Sequence, residues 1–246
     1  MSLVLNGSSY LDGPIGNLPT VGPMSISCWV KLPISGEAWA VTLTDSSKAL
    51  VDILVGVLPS GRAALSVRSL NGPPSAESAT SVSANTWCHL VATIDAVDQR
   101  LMTLDGVSGQ PVTDSTTPAG IDRIWFGAIG WVAPIIAFTG RIAEVGVWSR
   151  VLDATDRARL AGGAPPTALS SGLAGYYPLR ADATPVMGPT LTATGAPSYD
   201  AADHPPMFQG AGRLLRGQAT AAGAGAGLVQ TGGALAGVAP IAGEVY

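Results

Sequence analysis

Residues 140–152, GRIAEVGVWSRVL, constrain the fold of this chain more than any other stretch. A glycine turn leads into strict alternation. Ile142, Glu144, Gly146 and Trp148 fall on one face, and Ala143, Val145 and Val147 on the other. Successive strand side chains point to opposite sides, so a period of two rich in Val, Ile and Trp predicts a strand in a two-layer sheet. The strand gives way at Ser149-Arg150 to a short helix over residues 153–161. Asp153 suits its N-cap, Asp156 sits three residues on as in a capping box, and Gly162-Gly163 can end it.

The rest of the chain repeats the strand signal. Runs at 2–5, 24–32, 38–44, 50–57, 62–68, 78–83, 87–94, 100–104, 122–128, 134–148 and 173–179 are separated by turn residues, among them Asp12-Gly13, Pro59-Ser60-Gly61 and Asp105-Gly106. Many short strands with almost no helical periodicity predict an all-β, antiparallel sandwich.

Composition narrows the partners. Charged residues make up only 12% of the chain, about half the typical ~25%. Either the surface is bland and rich in Ser, Thr and Gly, or other subunits cover much of it. The net charge is −4 with no basic cluster, so no nucleic-acid partner is expected. No run of about 18 apolar residues free of Gly and Pro exists, so no membrane insertion is expected, and the first residues lack the basic and apolar regions of a classical signal peptide. Cys28 and Cys88 lie in strand-like runs and are either core thiols or one disulfide.

Composition shifts after residue 206, which divides the chain into a β domain over 1–206 and a Gly/Ala-rich arm over 207–246. Glycine-rich backbone is costly to order and offers little side chain to bury. The arm is then either a flexible tail or a segment that orders against a neighbouring subunit. On the second reading Leu228, Val229, Leu235, Val238 and Ile241 are partner contacts and the protein is a homo-oligomer. Trp131, between the glycines of GAIGWVAP, is the candidate exposed aromatic contact.

Four segments carry a resemblance: MSISCWVKL at 24–32, NTWCHLVATIDAVDQRLMTLDGV at 85–107, GRIAEVGVWSRVLDATDRARL at 140–160 and GLAGYYPL at 172–179. In this order and spacing they resemble the laminin-G-like, concanavalin A-like jelly roll over roughly residues 1–200. The resemblance implies a two-sheet jelly roll and a binding role. Within it, Trp29, Trp87 and Trp148 are expected as core anchors, each burying roughly 200 Å². Arg150 is expected to pin the hook after the strand to backbone carbonyls or to an acid such as Glu144.

Some relatives with this architecture are glycoside hydrolases, which need two carboxylates about 5–9.5 Å apart. No strand here carries such a pair, and Glu144 stands alone among Ile, Ala and Val. His89 follows Cys88 directly, so the two point to opposite faces and make no Cys-His pair; a structural hydrogen bond is expected of His89. No catalytic residue, cofactor site or enzyme activity is expected. Calcium is common among laminin-G-like relatives, and Asp12, Asp182, Asp200 and Asp203 are the carboxylates the chain ends could bring together. Their spacing assigns no metal site.

These readings converge on a non-enzymatic virion protein of a bacteriophage that decorates a capsid or tail. Its lectin-like jelly roll would contact other virion proteins and cell-surface glycans. The segment TGAPSYDAADHPPM at 194–207 resembles one found in phage proteins with such domains. The alternative is a stand-alone carbohydrate-binding module or adhesin.

Overall fold

The computed structural model describes residues 1–33, 37–69, 75–95, 99–130, 135–136 and 138–207. The first strands are β1 (Ser2–Asn6), β2 (Tyr10–Pro14), β3 (Met24–Lys31), β4 (Ala38–Thr44), β5 (Val51–Val57) and β6 (Arg62–Ser69). They are followed by β7 (Ala76–Ser81), β8 (Cys88–Asp95), β9 (Gln99–Leu104), β10 (Val107–Ser108), β11 (Val112–Thr113) and β12 (Arg123–Phe126). The last are β13 (Ala128–Ile129), β14 (Ile135–Ile136), β15 (Thr139–Trp148), β16 (Leu173–Tyr177), β17 (Thr192–Thr194) and β18 (Ser198–Asp200). One helix, α1 (Ala154–Ala161), and a 3-10 turn over Pro166–Leu169 separate β15 from β16.

All strands but β13 and β14, which pair with each other, form two antiparallel sheets packed face to face, a jelly-roll sandwich. One runs β10-β9-β8-β3-β15-β1-β18, with β16 continuing beside β15 and β11 beside β9. The other runs β17-β2-β12-β4-β5-β6-β7. Between them the alternating apolar positions meet: Leu3 and Leu5 of β1, Ile26, Cys28 and Val30 of β3, Val41 and Leu43 of β4, Ile53 and Val55 of β5. Phe126 of one sheet meets Tyr177 of the other edge-on, with ring centroids 5.1 Å apart.

Asp12-Gly13 is not a turn. It lies inside β2, between β12 and β17, where a Cβ on residue 13 would come within 2.5 Å of the Thr190 carbonyl oxygen. The glycine serves close backbone approach rather than reversal. The run at 134–148 divides into β14 and β15.

Within β15 the alternation is interrupted. A bulge between Ala143 and Gly146, against β3, inserts one extra residue that shifts the faces. Ile142, Val145 and Val147 all enter the inter-sheet core, and Trp148 points the other way. Ile142 and Trp148 therefore do not share a face, contrary to the expectation from the unbroken period.

Trp148 is fully buried, but not between the sheets. With Val91, Leu152, Leu160 and Leu169 it forms a small second core on the outer side of the larger sheet, and its Nε1 donates to the Leu169 carbonyl at 2.8 Å. Helix α1 and the 3-10 turn supply the cover. Asp153 caps α1 by accepting from the Asp156 amide at 2.8 Å. Trp29 lies apart from the inter-sheet core, its ring 4.9 Å from that of His89 on the neighbouring strand. Trp87 is half-buried at the rim, where its Nε1 donates to Asp203 at 2.7 Å. All three are structural, yet none is an anchor between the sheets.

Arg150 pins the hook as expected, donating to the carbonyls of Ser171 and Val151. Its acidic partner is Asp156, at 2.6 Å, and not Glu144.

Candidate functional site

Two surfaces could serve a ligand, and the first is filled by the chain itself. On the outer side of the seven-stranded sheet, Thr42 and Thr44 alternate with the core residues Val41 and Leu43. Both hydroxyls are buried, donating to the carbonyls of Ala128 and Gly130 at 2.7 and 2.8 Å. The β13–β14 pair thus lies over this face, and Gly130 is close enough to Trp125 that a Cβ would sit 1.6 Å from its ring. Trp125 is further packed by Tyr10, at 5.4 Å, and by the Arg123 guanidinium at the same distance, with Arg123 paired to Asp12. Trp125 is thereby buried, and its Nε1 donates to the Thr44 hydroxyl at 2.9 Å.

The second surface lies at the edge of the larger sheet, beside β16. Glu144 sits in the β15 bulge with φ +53°, a left-handed conformation that is costly for a residue with a Cβ. Its carboxylate is buried, and burial of a charge requires partners. Tyr176 donates to Oε2 at 2.5 Å, and Arg180 donates from Nε to Oε1 at 2.9 Å. Burial, then the hydrogen bond to Glu144, pushes the Tyr176 hydroxyl well above the usual phenol range. The same carboxylate, through its hydrogen bond, raises Arg180. Both groups hold their protons at any physiological pH.

The backbone around this cluster is unusual twice over. Leu179, next to Arg180, also has a left-handed φ, +55°, and the Glu144 amide donates to the Pro178 carbonyl at 3.3 Å. The two left-handed positions thus flank one hydrogen bond, whose acceptor Pro178 directly precedes Leu179.

Outside the cluster runs an open groove of about 470 Å³. Arg180, Asp182, Thr167 and Thr184 supply its polar groups, and Pro165, Pro178 and Val186 its apolar wall. The Arg180 side chain is 53% exposed and lines the open side. Asp182 Oδ1 accepts from the Thr184 amide at 2.8 Å, which fixes that carboxylate in place. Arg180 and Asp182 are the charged members of this lining. The Met1 ammonium feels the cluster from nearby: burial lowers its pKa first, and Arg180 adds to the effect.

The other sequence candidates are distributed elsewhere. Trp131, Leu228, Val229, Leu235, Val238 and Ile241 lie outside the described residues. Asp200 and Asp203 do meet at the chain ends, as anticipated, but cations neutralise them: Arg141 bridges both, at 2.5 and 2.9 Å, and Lys31 reaches Asp203 at 2.8 Å. Asp12 is paired elsewhere with Arg123. No cluster of three metal-ligating side chains occurs among the described residues. The His89 ring makes no hydrogen bond through Nδ1 among the described residues; its structural bonds are backbone ones, to and from Asp105. Burial drives its pKa down to about 3, so the ring is neutral. Cys28 and Cys88 are free core thiols, with burial pushing Cys28 up to about 12.

Sequence reasoning noted Glu144 as isolated and Tyr176 as a strand residue, but not their union with Arg180. The available signal was the acid itself. A carboxylate in a buried strand must find donors, and the returning strand GLAGYYPLR is the nearest source.

Comparison with known proteins places this geometry. Residues 5–156 match the model of the concanavalin A-like lectin/glucanases superfamily. No curated protein matches the chain by sequence. Among solved structures, the chain is similar to a native heptameric SAP-like pentraxin from Limulus polyphemus, at 12% identity over 81% of this chain and 95% of that one, with a TM-score of 0.58. It is also similar to domain 4 of a GH43 extracellular arabinanase from Geobacillus stearothermophilus in complex with arabinotriose, at 20% identity over 65% and 76%, TM-score 0.53. A third is the CBM40 of the Ruminococcus gnavus IT-sialidase bound to α2,3-sialyllactose, at 10% identity over 65% and 96%, TM-score 0.53. At these identities the likeness is one of fold.

Proposed function

Since this chain belongs to the concanavalin A-like lectin/glucanase superfamily, we propose that it is a glycan-binding protein that performs no chemistry on its ligand. The observation that carries this reading is the groove beside β16, where Glu144 holds Arg180 in place. Its volume falls in the roughly 300–1,000 Å³ range of small-ligand sites, and it combines an apolar wall with a few fixed polar groups. That combination suits a sugar, which offers hydroxyls on its rim and C–H groups on its faces. Two of the similar structures, the arabinanase domain and the CBM40, hold oligosaccharides, which favours the same class. The reading without chemistry draws on Glu144, the acid beside the groove: its carboxylate is buried and held by Tyr176 and Arg180, so it supports the cluster rather than facing the ligand.

We place this activity on a bacteriophage particle, as a capsid or tail accessory protein. The support is the low charge density, the apolar residues of the arm over 207–246 and the phage-like 194–207 segment. Mass spectrometry of purified particles, expected to find the chain in many copies, tests the setting. A glycan array followed by calorimetry tests the binding. Wild-type protein should retain at least one glycan class, and Thr184→Val should weaken it without changing the melting temperature. An array with no bound glycan overturns the reading.

A further inference from the structure

We infer that the groove beside β16 takes a neutral sugar and rejects acidic ones; this rests on the glycan-binding reading above. The argument is one of charge and of what each fixed group can offer. Arg180 is the cation of the lining, and its charge is already matched by Glu144 at 2.9 Å. Among the described residues of the lining, Asp182 is then the charge without an ionic partner. Its Oδ1 is held by the Thr184 amide, so the carboxylate stands as a fixed acceptor in the groove. A ligand carboxylate would meet Asp182 with no second cation among the described residues of the lining to offset it, and like charges repel. A neutral ring meets no such cost.

The same groups suit vicinal hydroxyls. A carboxylate can accept two O–H donors side by side, and a guanidinium donates to the next oxygen along. Thr167 and Thr184 can each donate or accept. In the same lining Pro165, Pro178 and the largely exposed Val186 present C–H surface to a sugar face. Tyr176 cannot stack on it, since it is nearly fully buried and its hydroxyl is spent on Glu144. Specificity therefore resides in the polar rim, and Asp182 is its central determinant.

The test is calorimetry and ligand-observed NMR on the full chain. The neutral probes are galactose, mannose, N-acetylglucosamine and lactose; the acidic ones are sialyllactose and galacturonic acid. A neutral probe is expected to bind at least about tenfold more tightly than its acidic counterpart. Asp182→Asn, a surface change that leaves Glu144 and Arg180 paired, should weaken the neutral ligand about tenfold and narrow the gap to the acidic one. Preference for sialyllactose or galacturonate overturns the inference while leaving glycan binding intact. Neutral binding that is indifferent to both Asp182→Asn and Thr184→Val also overturns it, because the site then lies elsewhere. Failure of every glycan to bind removes the underlying reading as well.

Discussion

At the scale of single residues, burial decides chemistry. His89 is the case with a pH signature. Its ordinary pKa near 6.5 falls to about 3 in the fold, because burial disfavours the charged ring. The unfolded chain therefore binds a proton that the folded chain refuses between about pH 6.5 and pH 3. Stability should fall as pH drops through that window and be indifferent to this group above it. Urea melts at pH 7.5, 6 and 5 should show the decline, by up to a few kcal/mol, and His89→Gln should flatten it. An unchanged slope in that variant would assign the acid sensitivity to carboxylates. Trp148 tests packing instead. Trp148→Ala removes the centre of the outer small core and its bond to Leu169, and should cost roughly 3–5 kcal/mol in denaturant melts.

At the scale of elements, the strands and the helix were legible from alternation and capping, and Asp153 caps α1 as read. The bulge in β15 was not. An extra residue carries no mark in the sequence, and it turned an unbroken period of two into a face shift that moved Val145 and Val147 into the inter-sheet core. The inner strand β2 was missed because Asp-Gly is a strong turn signal, and only its neighbour at Thr190 shows why glycine is required there. The groove was invisible for the same reason: Glu144 and Arg180 are 36 residues apart, and their meeting depends on β16 returning beside β15. The β13–β14 pair makes an element-level prediction. Gly130→Val would drive a side chain into the Trp125 ring, forcing the pair off Thr42 and Thr44 and breaking the bonds their hydroxyls donate to Ala128 and Gly130. Such overpacking costs about 1–3 kcal/mol, and exposure should appear as increased quenching of tryptophan fluorescence by acrylamide.

At the scale of the molecule, the strap over residues 198–207 closes the larger sheet. β18 lies against β1, and Asp203 gathers Lys31, Arg141 and Trp87 while its carbonyl takes the Ser2 hydroxyl. Burial alone would raise the Asp203 carboxyl. The hydrogen bonds from Lys31 and Trp87, with the charges of Lys31 and Arg141, outweigh it and hold the group below its usual range. Its contribution is present above about pH 4 and is lost as pH falls through the lowered value. Asp203→Asn should abolish that share of the acid sensitivity and loosen the strap, seen as faster amide exchange in residues 198–203. The sheets, their core and the strap are built by residues 2–205, so deleting 208–246 should leave the melting temperature unchanged. Loss of particle binding in the same variant, by co-sedimentation, would assign docking to the arm; full retention would assign it to the jelly roll.

The pairing of β1 with β18 has a mechanical side. The strands are antiparallel, and Ser2 stands opposite Asp200, so the beginning and the end of the folded body leave from one corner. A load applied through both ends would not shear this pair, which would strain all its hydrogen bonds together. It would first break the Asp203 contacts and then peel the pair in turn, Ser2 from Asp200, Leu3 from Tyr199 and Val4 from Ser198. Pulled this way, the strap should open at low force and leave the rest of the sandwich standing, a body that gives at its seam before it yields at its core.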